Sequence, residues 1–274
     1  MRPSGGMLGM TWSLLLSTSG RLISCIFFQQ LQHQGGKVTV GGDMRADSPG
    51  HSAKFGSYTL MQLGSNTIVD FQLVQSNEVG GSYHMEKEGL KRCLDHLESK
   101  DLAVEYIVTD RHPQIQKFLR ERNMEQSYDV WHFEKGLSKK RSQNKDCKVL
   151  KRWLHSIKKH VYWSATGTTS GPEKVASWTS VVNHLQNIHV HDDPLFLKCS
   201  HPERASSDAN KWLKPGSITL AKVERILNKR VLKDVQKLSH HYQTSSLESF
   251  HNLILHFPLH GNVVQVVSSS NASQ

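Results

Sequence analysis

Three acidic residues stand where a metal-dependent reaction could be built, namely Asp43, Asp110 and Glu248. Asp43 closes the first run that predicts a strand, Asp110 closes the fourth, and Glu248 opens the last helical stretch. Side chains at neighbouring strand ends lie a few ångström apart, and a docked helix can add a third. Because clustered carboxylates repel one another, such a group indicates divalent cations. Two hard cations about 4 Å apart activate water and stabilise the leaving oxygen in phosphodiester cleavage.

Each of these acids also has a purely structural interpretation. Asp47 follows Asp43 by four residues and competes with it as the first acid, and either side chain could simply satisfy a turn. Asp110 could be a polar strand terminus. The string Ser245-Ser-Leu-Glu248 matches a capping box, in which the glutamate serves only the start of the helix. Spacing alone leaves these alternatives open.

The elements that must position the acids begin with three predicted antiparallel strands, at residues 37–43, 57–63 and 67–76. In the third strand Val69, Phe71 and Leu73 alternate with polar neighbours, which is the period of a half-buried strand. The second and third strands are separated by Gly64-Ser65-Asn66, whose residues tolerate a positive φ angle and predict a hairpin loop.

The hydrophobic period then changes to that of a helix. Leu90, Leu94 and Leu97 fall on one face of a predicted helix at residues 85–99. Residues 104–109 predict a fourth strand, Pro113 is suited to the first position of the next helix, and residues 128–133 predict a fifth strand. The order β-β-β-α-β-α-β predicts an α/β fold with a mixed five-stranded sheet. Beyond it we expect a basic helical segment, an irregular stretch at 166–215 and a final helix at 245–256.

The charge of the chain indicates a polyanionic partner. Basic residues outnumber acidic ones 34 to 24, which gives a formal net charge of +10. The interval from Lys135 to Lys159 holds ten basic residues and a single interior acid, Asp146. Such a run is either a solvated helical face or a surface that follows nucleic-acid phosphates and releases counterions. Its basic residues are Lys135, Lys139, Lys140, Arg141, Lys145, Lys148, Lys151, Arg152, Lys158 and Lys159.

Composition excludes several other classes of protein. The hydrophobic residues make up 37% of the chain, and its 19 glycines add about 7%, which is close to the globular norm and excludes wholesale disorder and collagen-like sequences. Four widely separated cysteines exclude a dense disulfide framework and favour a reducing compartment. The most apolar stretch, residues 7–28, contains Arg21 and is too interrupted to span a membrane. It also lacks a clean small-x-small cleavage site, so we expect neither a membrane protein nor a secreted one.

Four strings together resemble the ribonuclease-H-like cores of DDE-type cut-and-paste transposases, in particular the transposase remnants found in animal genomes. They are Gly-Gly-Asp43-Met-Arg-Ala-Asp-Ser-Pro-Gly-His51-Ser-Ala-Lys-Phe-Gly-Ser-Tyr58-Thr, Val108-Thr-Asp110-Arg-His112, Tyr128-Asp129-Val-Trp131-His132-Phe-Glu-Lys135 and Ser246-Leu-Glu248-Ser-Phe-His251. The predicted strand order is that of the same fold. Asp129-x-x-His132 is also similar to the (Cys/Asp)-x-x-His string of Mutator-like and hAT-like transposases.

The resemblance implies a role for each matching residue. Asp43 and Asp110 would hold two Mg²⁺ or Mn²⁺ ions, Glu248 would complete the site, and Asp129 and His132 would support it. The implied organisation is an irregular, truncated segment at 1–34, a ribonuclease-H-like core at 35–135, a basic helical insertion at 136–242 that contacts DNA, the last core helix at 243–257 and a disordered tail at 258–274. A DNA partner implies a nuclear location, and the resemblance is compatible with a homo-oligomer.

The chain also departs from the transposase pattern. Only about 35 residues precede the first strand, which leaves no room for a DNA-recognition module, and both ends look truncated. We therefore expect weak, non-specific, magnesium-dependent nicking rather than efficient transposition. The alternative is a transposase remnant that binds nucleic acid without catalysis. A nuclease of the same fold would carry a fourth carboxylate near the last helix, and the sequence shows none.

A second group of residues could bind a metal of a different kind. His184, His189, His191, Cys199 and His201 fall within 18 residues. Imidazole and thiolate are the ligands that tetrahedral zinc prefers, and His189, His191, Cys199 and His201 are the candidates. The spacing matches no established zinc signature, however, and favours ordinary hydrogen-bonding roles for these histidines.

Overall fold

The sheet of this α/β protein is mixed and has five strands. The computed structural model describes residues 18–33, 35–48, 52–142, 148–168, 170–201, 212–240 and 244–256. The strands are β1 (Lys37–Ala46), β2 (Phe55–Gln62), β3 (Thr67–Gln75), β4 (Ala103–Thr109) and β5 (Glu125–Tyr128). The helices in these ranges are α1 (Thr18–His33), α2 (Ser82–Glu98), α3 (Pro113–Glu121), α4 (Val130–Ser142), α5 (Lys148–Thr166), α6 (Gly171–Thr179), α7 (Val181–His184), α8 (Ile218–Ile226), α9 (Lys229–Gln236) and α10 (Ser245–His256).

The predicted order β-β-β-α-β-α-β is confirmed from β1 to β5. The strands lie side by side in the order β3-β2-β1-β4-β5, and β1 pairs with β2, and β2 with β3, in antiparallel fashion. The hairpin between β2 and β3 turns at Asn66, whose φ angle of 53° is left-handed. Asparagine tolerates this conformation better than most residues, as the sequence pattern anticipated.

The predicted fifth strand at 128–133 is wrong in its position. The strand ends at Tyr128, and α4 begins at Val130. The reason is Asp129, whose carboxylate accepts the backbone N–H of His132 and whose carbonyl accepts that of Phe133. An aspartate that caps a helix in this way stops the strand. The predicted irregular stretch at 166–215 also contains the helices α6 and α7.

The chain divides into two units. The first comprises Met1–Ile107, His112–Glu125 and Thr244–Gln274, and the second comprises Val108–Arg111 and Gln126–Gln243. The first unit has its core on one face of the sheet, where Val38 and Val40 of β1 pack with Leu90, Leu94 and Leu97 of α2. The predicted leucine stripe of α2 is therefore buried as expected.

The second unit is mainly helical, and its core gathers around Trp153 and Trp178. Ile157 and Val161 of α5 join this core together with Val231 and Val235 of α9. The apolar residues of α5 thus face inward at intervals of four, which is the period of an amphipathic helix. Among the described residues, no helix has the length and apolar character needed to cross a membrane.

Candidate functional site

Asp43 lies inside β1 rather than at its end, because β1 continues to Ala46. It pairs in register with Thr59 of β2, so the two side chains project from the same face of the sheet. Gly41, two residues earlier, shares this face. The buried residues of α2 cover the opposite face of the sheet. The face that carries Asp43 is therefore covered by a different element.

That element is α10, and Gly41 allows it to approach β1. A Cβ atom at position 41 would lie 2.8 Å from Cδ2 of Leu63 and 3.2 Å from Cγ2 of Thr244, the residue that precedes α10. The first distance is shorter than real Cβ atoms show, and at the second the threonine methyl group would have to move by a few tenths of an ångström. The absence of a side chain at Gly41 therefore sets how closely the start of α10 lies to the strand that carries Asp43.

Glu248 reaches Asp43 as a result. A carboxylate oxygen of Glu248 and one of Asp43 lie within 4.8 Å of each other, and both side chains are half-buried. The register of α10 also argues against the capping box, since the carbonyl of Thr244 accepts the backbone N–H of Glu248. Ser245 is thus already helical and Glu248 is the fourth helical residue, whereas a capping box needs the glutamate in the third position.

A histidine on the same helix contacts the first acid. Nδ1 of His251 lies 3.4 Å from Oδ2 of Asp43, and Nε2 lies 3.0 Å from Oγ1 of Thr59. The His251 side chain is only 2% exposed. Because it is buried, both ring nitrogens need partners, and this pair of residues supplies them. His251 therefore ties α10 to two strands at the position of Asp43.

Asp47, the competing first acid, has a different place. Its Oδ1 accepts the backbone N–H of Lys54 at 3.1 Å and the hydroxyl of Ser48 at 3.3 Å. The side chain thus stabilises the connection between β1 and β2 and is exposed there. This is the turn role that the sequence left open for either aspartate.

Asp110 belongs to the second unit, where it follows β4 directly. Its Oδ2 lies 3.7 Å from Nδ1 of His132. His132 is held in turn by Asp129, which is buried and caps the first turn of α4. The string Asp129-x-x-His132 therefore has a geometric basis, because the aspartate fixes the helix start from which His132 reaches Asp110. The convergence of all three acids stays a prediction.

The basic segment is described only in part. Lys145 lies outside the described residues, as do the side chains of Lys139, Lys140, Arg141, Lys148, Lys151 and Arg152. Nζ of Lys135 lies 3.6 Å from the centre of the Trp131 ring, and Nζ of Lys158 lies 2.6 Å from Oε1 of Glu134. Lys159 is exposed. Of the described lysines in this segment, two therefore have protein partners within the second unit.

The second unit also brings together the donors of the predicted zinc group, with one exchange. Ligand atoms of His184, His189, Cys199 and His201 all lie within 4.8 Å of one another. His184, at the end of α7, takes the place that the sequence gave to His191. The other three come from a short hairpin, in which the backbone N–H of Cys199 donates to the carbonyl of His189. Cys199 follows directly after the isolated bridge between Val190 and Lys198 that closes this hairpin, and His201 follows two residues later.

His191 lies behind the thiol instead. Its Nε2 is 3.3 Å from Sγ of Cys199, and its Nδ1 is 3.3 Å from Nδ2 of Asn183. Since an amide nitrogen can only donate, Nδ1 accepts and the proton of the neutral ring is on Nε2, which donates to the sulfur. Burial, together with the charges of neighbouring histidines, lowers the pKa of His184 to about 4. Burial raises the pKa of the Cys199 thiol.

The sequence pattern gave no role to Thr59 and His251, which contact each other beside Asp43, and did not place His184 among the four zinc candidates. His251 follows Glu248 by three residues and so lies on the same helical face, a signal that was present in the sequence. Thr59 gave no such signal, since its role depends on the pairing of β1 with β2. His184 belonged to the wider group of possible metal ligands, but it lies at the end of α7 and not in the hairpin.

No model of a protein family matches this chain, and no curated protein matches it either.

Proposed function

We propose that this chain is a transposase-derived, DNA-binding protein with a ribonuclease-H-like core. That core would cleave phosphodiester bonds with Mg²⁺ or Mn²⁺ through Asp43, Asp110 and Glu248. The observation that carries the proposal is the pair of Asp43 and Glu248, whose carboxylate oxygens lie within 4.8 Å although 205 positions separate them in the sequence.

Electrostatics supports a cation at this pair. Two unit charges about 5 Å apart repel by about 3 kcal/mol at an effective dielectric constant of about 20. Partial burial limits the relief that water can give. A divalent ion between the two oxygens would turn the repulsion into attraction, so the arrangement is one that a cation stabilises.

The donor set also fits the proposed metal. Carboxylate oxygens are the ligands that Mg²⁺ and Mn²⁺ prefer, and bonds of about 2.1 Å are reached from this separation by a small side-chain rotation. When bound, such ions supply an activated water and charge stabilisation at phosphorus. In the first unit Asp43 and Glu248 would hold the metal, while His251, itself held by Thr59, would fix the Asp43 carboxylate. Asp110 is included because of its sequence string.

The order of the elements supports the same core, because β-β-β-α-β-α-β followed by a helix with the last acid is the order that the resemblance implies. The excess of basic residues supports DNA as the partner. Contacts of these basic residues to the DNA backbone would position the protein but carry no sequence information. A nuclear location follows only from this proposed partner.

The experiment that tests the proposed function is the nicking of supercoiled plasmid by the full chain with Mg²⁺, with Mn²⁺ and with a chelator. We expect slow, metal-dependent conversion to the open circle. Asp43→Asn and Glu248→Gln should each reduce the rate by about 100-fold or more, because both remove a metal-binding charge. Asp47→Asn is the matched control. It removes the same charge from the adjacent loop and should leave the rate within about two-fold.

The alternative, a nucleic-acid-binding remnant without catalysis, makes a different prediction. In that case the wild type binds plasmid but the rate of nicking is the same with metal and with chelator. Equal nicking by the wild type and by Asp43→Asn would likewise refute the catalytic role, since it would identify the activity as a contaminant.

A further inference from the structure

The cluster of His184, His189, Cys199 and His201 has the dimensions of a tetrahedral metal site. A zinc ion bonds nitrogen at about 2.0–2.1 Å and sulfur at about 2.3 Å. Tetrahedral angles then hold two nitrogens about 3.3–3.4 Å apart, and a nitrogen and a sulfur about 3.6 Å apart. Nε2 of His201 lies 3.4 Å from Nδ1 of His184, and Sγ of Cys199 lies 3.6 Å from the same nitrogen. Both distances match the edges of the tetrahedron.

Aromatic rings enclose one side of the cluster. His184 and His189 lie against the Trp212 ring, with ring centres 6.1 Å and 6.0 Å apart respectively, and the ring of Trp153 is 6.1 Å from His184. The ligand atoms of the four residues all lie within 4.8 Å of one another, so a single ion could contact each of them.

The hairpin that carries three of the donors is only partly covered by other side chains. Its apolar side chains Ile188, Val190, Leu195 and Leu197 are exposed, the last by 62%, whereas Phe196 packs against Trp163 and His191. A bond from each arm of the hairpin to a common ion, with His184 as the anchor on α7, would add a constraint to this packing.

We propose that His184, His189, Cys199 and His201 bind one structural zinc ion. Four protein ligands leave no open coordination position, which is the arrangement of a structural site and not of a catalytic one. His191 would orient the sulfur through its Nε2–H, as groups behind metal ligands commonly do. The site lies in the second unit and is independent of the carboxylates of the proposed nuclease.

The test is the metal content of the full chain, purified without chelator and measured by elemental analysis. We expect one zinc ion per chain in the wild type and loss of most of it in Cys199→Ser and His184→Ala. His155→Ala removes an exposed histidine of α5 and is the matched control, which should keep the zinc. Asp43→Asn should also keep it, which separates this proposal from the nuclease.

A second measurement does not depend on whether the variants fold. When Co²⁺ replaces zinc in the wild type, the intense visible bands of a tetrahedral ion and a thiolate-to-metal charge-transfer band should appear together. Zinc content unchanged in Cys199→Ser would overturn the proposal. So would a wild type that neither contains zinc nor takes it up, or a cobalt spectrum of the weak octahedral type without the charge-transfer band.

Discussion

His251 of α10 and Asp43 of β1 are joined by a contact of 3.4 Å between Nδ1 and Oδ2, while the other ring nitrogen of His251 lies 3.0 Å from Thr59. The histidine thus binds a helix to two paired strands at the acid proposed to hold a metal. The two ring nitrogens of His251 can be tested separately by substitution. The amide nitrogen of asparagine imitates Nδ1, and that of the longer glutamine imitates Nε2.

We expect His251→Asn to preserve the contact with Asp43, because the asparagine amide nitrogen lies where Nδ1 lies. His251→Gln should preserve the contact with Thr59 instead. Both variants lose about 1–3 kcal/mol of stability, because one buried partner is left unsatisfied in each. Only His251→Gln should also lose metal-dependent nicking, by about ten-fold or more. Thermal unfolding and plasmid nicking measure the two effects, and equal nicking by the two variants would assign His251 a structural role only.

Removal of one carboxylate should change how stability responds to metal. We expect Glu248→Gln to be about 1 kcal/mol more stable than the wild type in chelator, since the repulsion with Asp43 is gone. For the wild type, Mg²⁺ at about ten times its dissociation constant should add about 1.4 kcal/mol, and this gain should vanish in the variant. Thermal unfolding with chelator and with Mg²⁺ measures both quantities. An equal response of both proteins to Mg²⁺ would exclude Glu248 as a ligand.

Two helical glycines should respond in opposite ways to alanine. Gly89 of α2 lies against Tyr58 so closely that a Cβ atom would overlap Cβ of the tyrosine, whereas nothing lies within 4 Å of a Cβ at Gly136 of α4. We expect Gly89→Ala to destabilise by about 1–3 kcal/mol, since overpacking outweighs helix propensity. Gly136→Ala should stabilise its helix by about 0.5–1 kcal/mol. Urea unfolding followed by circular dichroism distinguishes them, and a neutral Gly89→Ala would mean that α2 can move away from β2.

Two adjacent lysines of α5 should contribute unequally to DNA binding. Lys158 is paired with Glu134 at 2.6 Å, whereas Lys159 is exposed. We expect Lys159→Ala to reduce the slope of log affinity against log salt by about 0.9, the value for one phosphate contact. Lys158→Ala should reduce it less, because Glu134 already compensates its charge. Fluorescence anisotropy of a labelled duplex between about 50 and 200 mM salt gives the slopes. Slopes unchanged in both variants would indicate a solvated face.

The hydrogen bond behind the proposed zinc ligand should affect affinity but not stoichiometry. We expect His191→Phe, which keeps the ring stacked near Phe196 but loses the donor to Cys199, to weaken zinc binding by about 10–100-fold. The chain should still hold one ion when zinc is in excess. Competition with a coloured chelator measures the affinity, with His155→Phe as the control. An unchanged affinity would show that His191 does not act on the sulfur.

The sequence allowed the order of the elements to be predicted, because that order depends on local patterns. Apolar alternation gave the strands, and the leucine stripe gave α2. The contact between Asp43 and Glu248 could not be derived in this way, since it depends on how closely α10 approaches β1. The error at 128–133 has a similar cause, because a capping aspartate outweighed a run of aromatic and β-branched residues that favours a strand.

The choice of ligands in the second cluster shows the same limit. The string Cys199-x-His201 was enough to suggest both residues as metal ligands. Spacing could not tell His184 from His191, because one ends a helix and the other faces the back of the sulfur. Which of the two histidines reaches the cluster depends on the path of the chain between α7 and the hairpin, and residue spacing does not give that path.

The missing side chain at Gly41 has a consequence for how this protein tolerates mutation. A Cβ atom at position 41 would meet the side chains of Leu63 and of Thr244, the residue before α10, so the present spacing between β1 and the start of α10 depends on glycine there. One added methyl group at position 41 would push the start of α10 outward. Glycine at this position therefore makes the separation of the two carboxylates depend on a backbone feature of β1 and not only on the acids themselves.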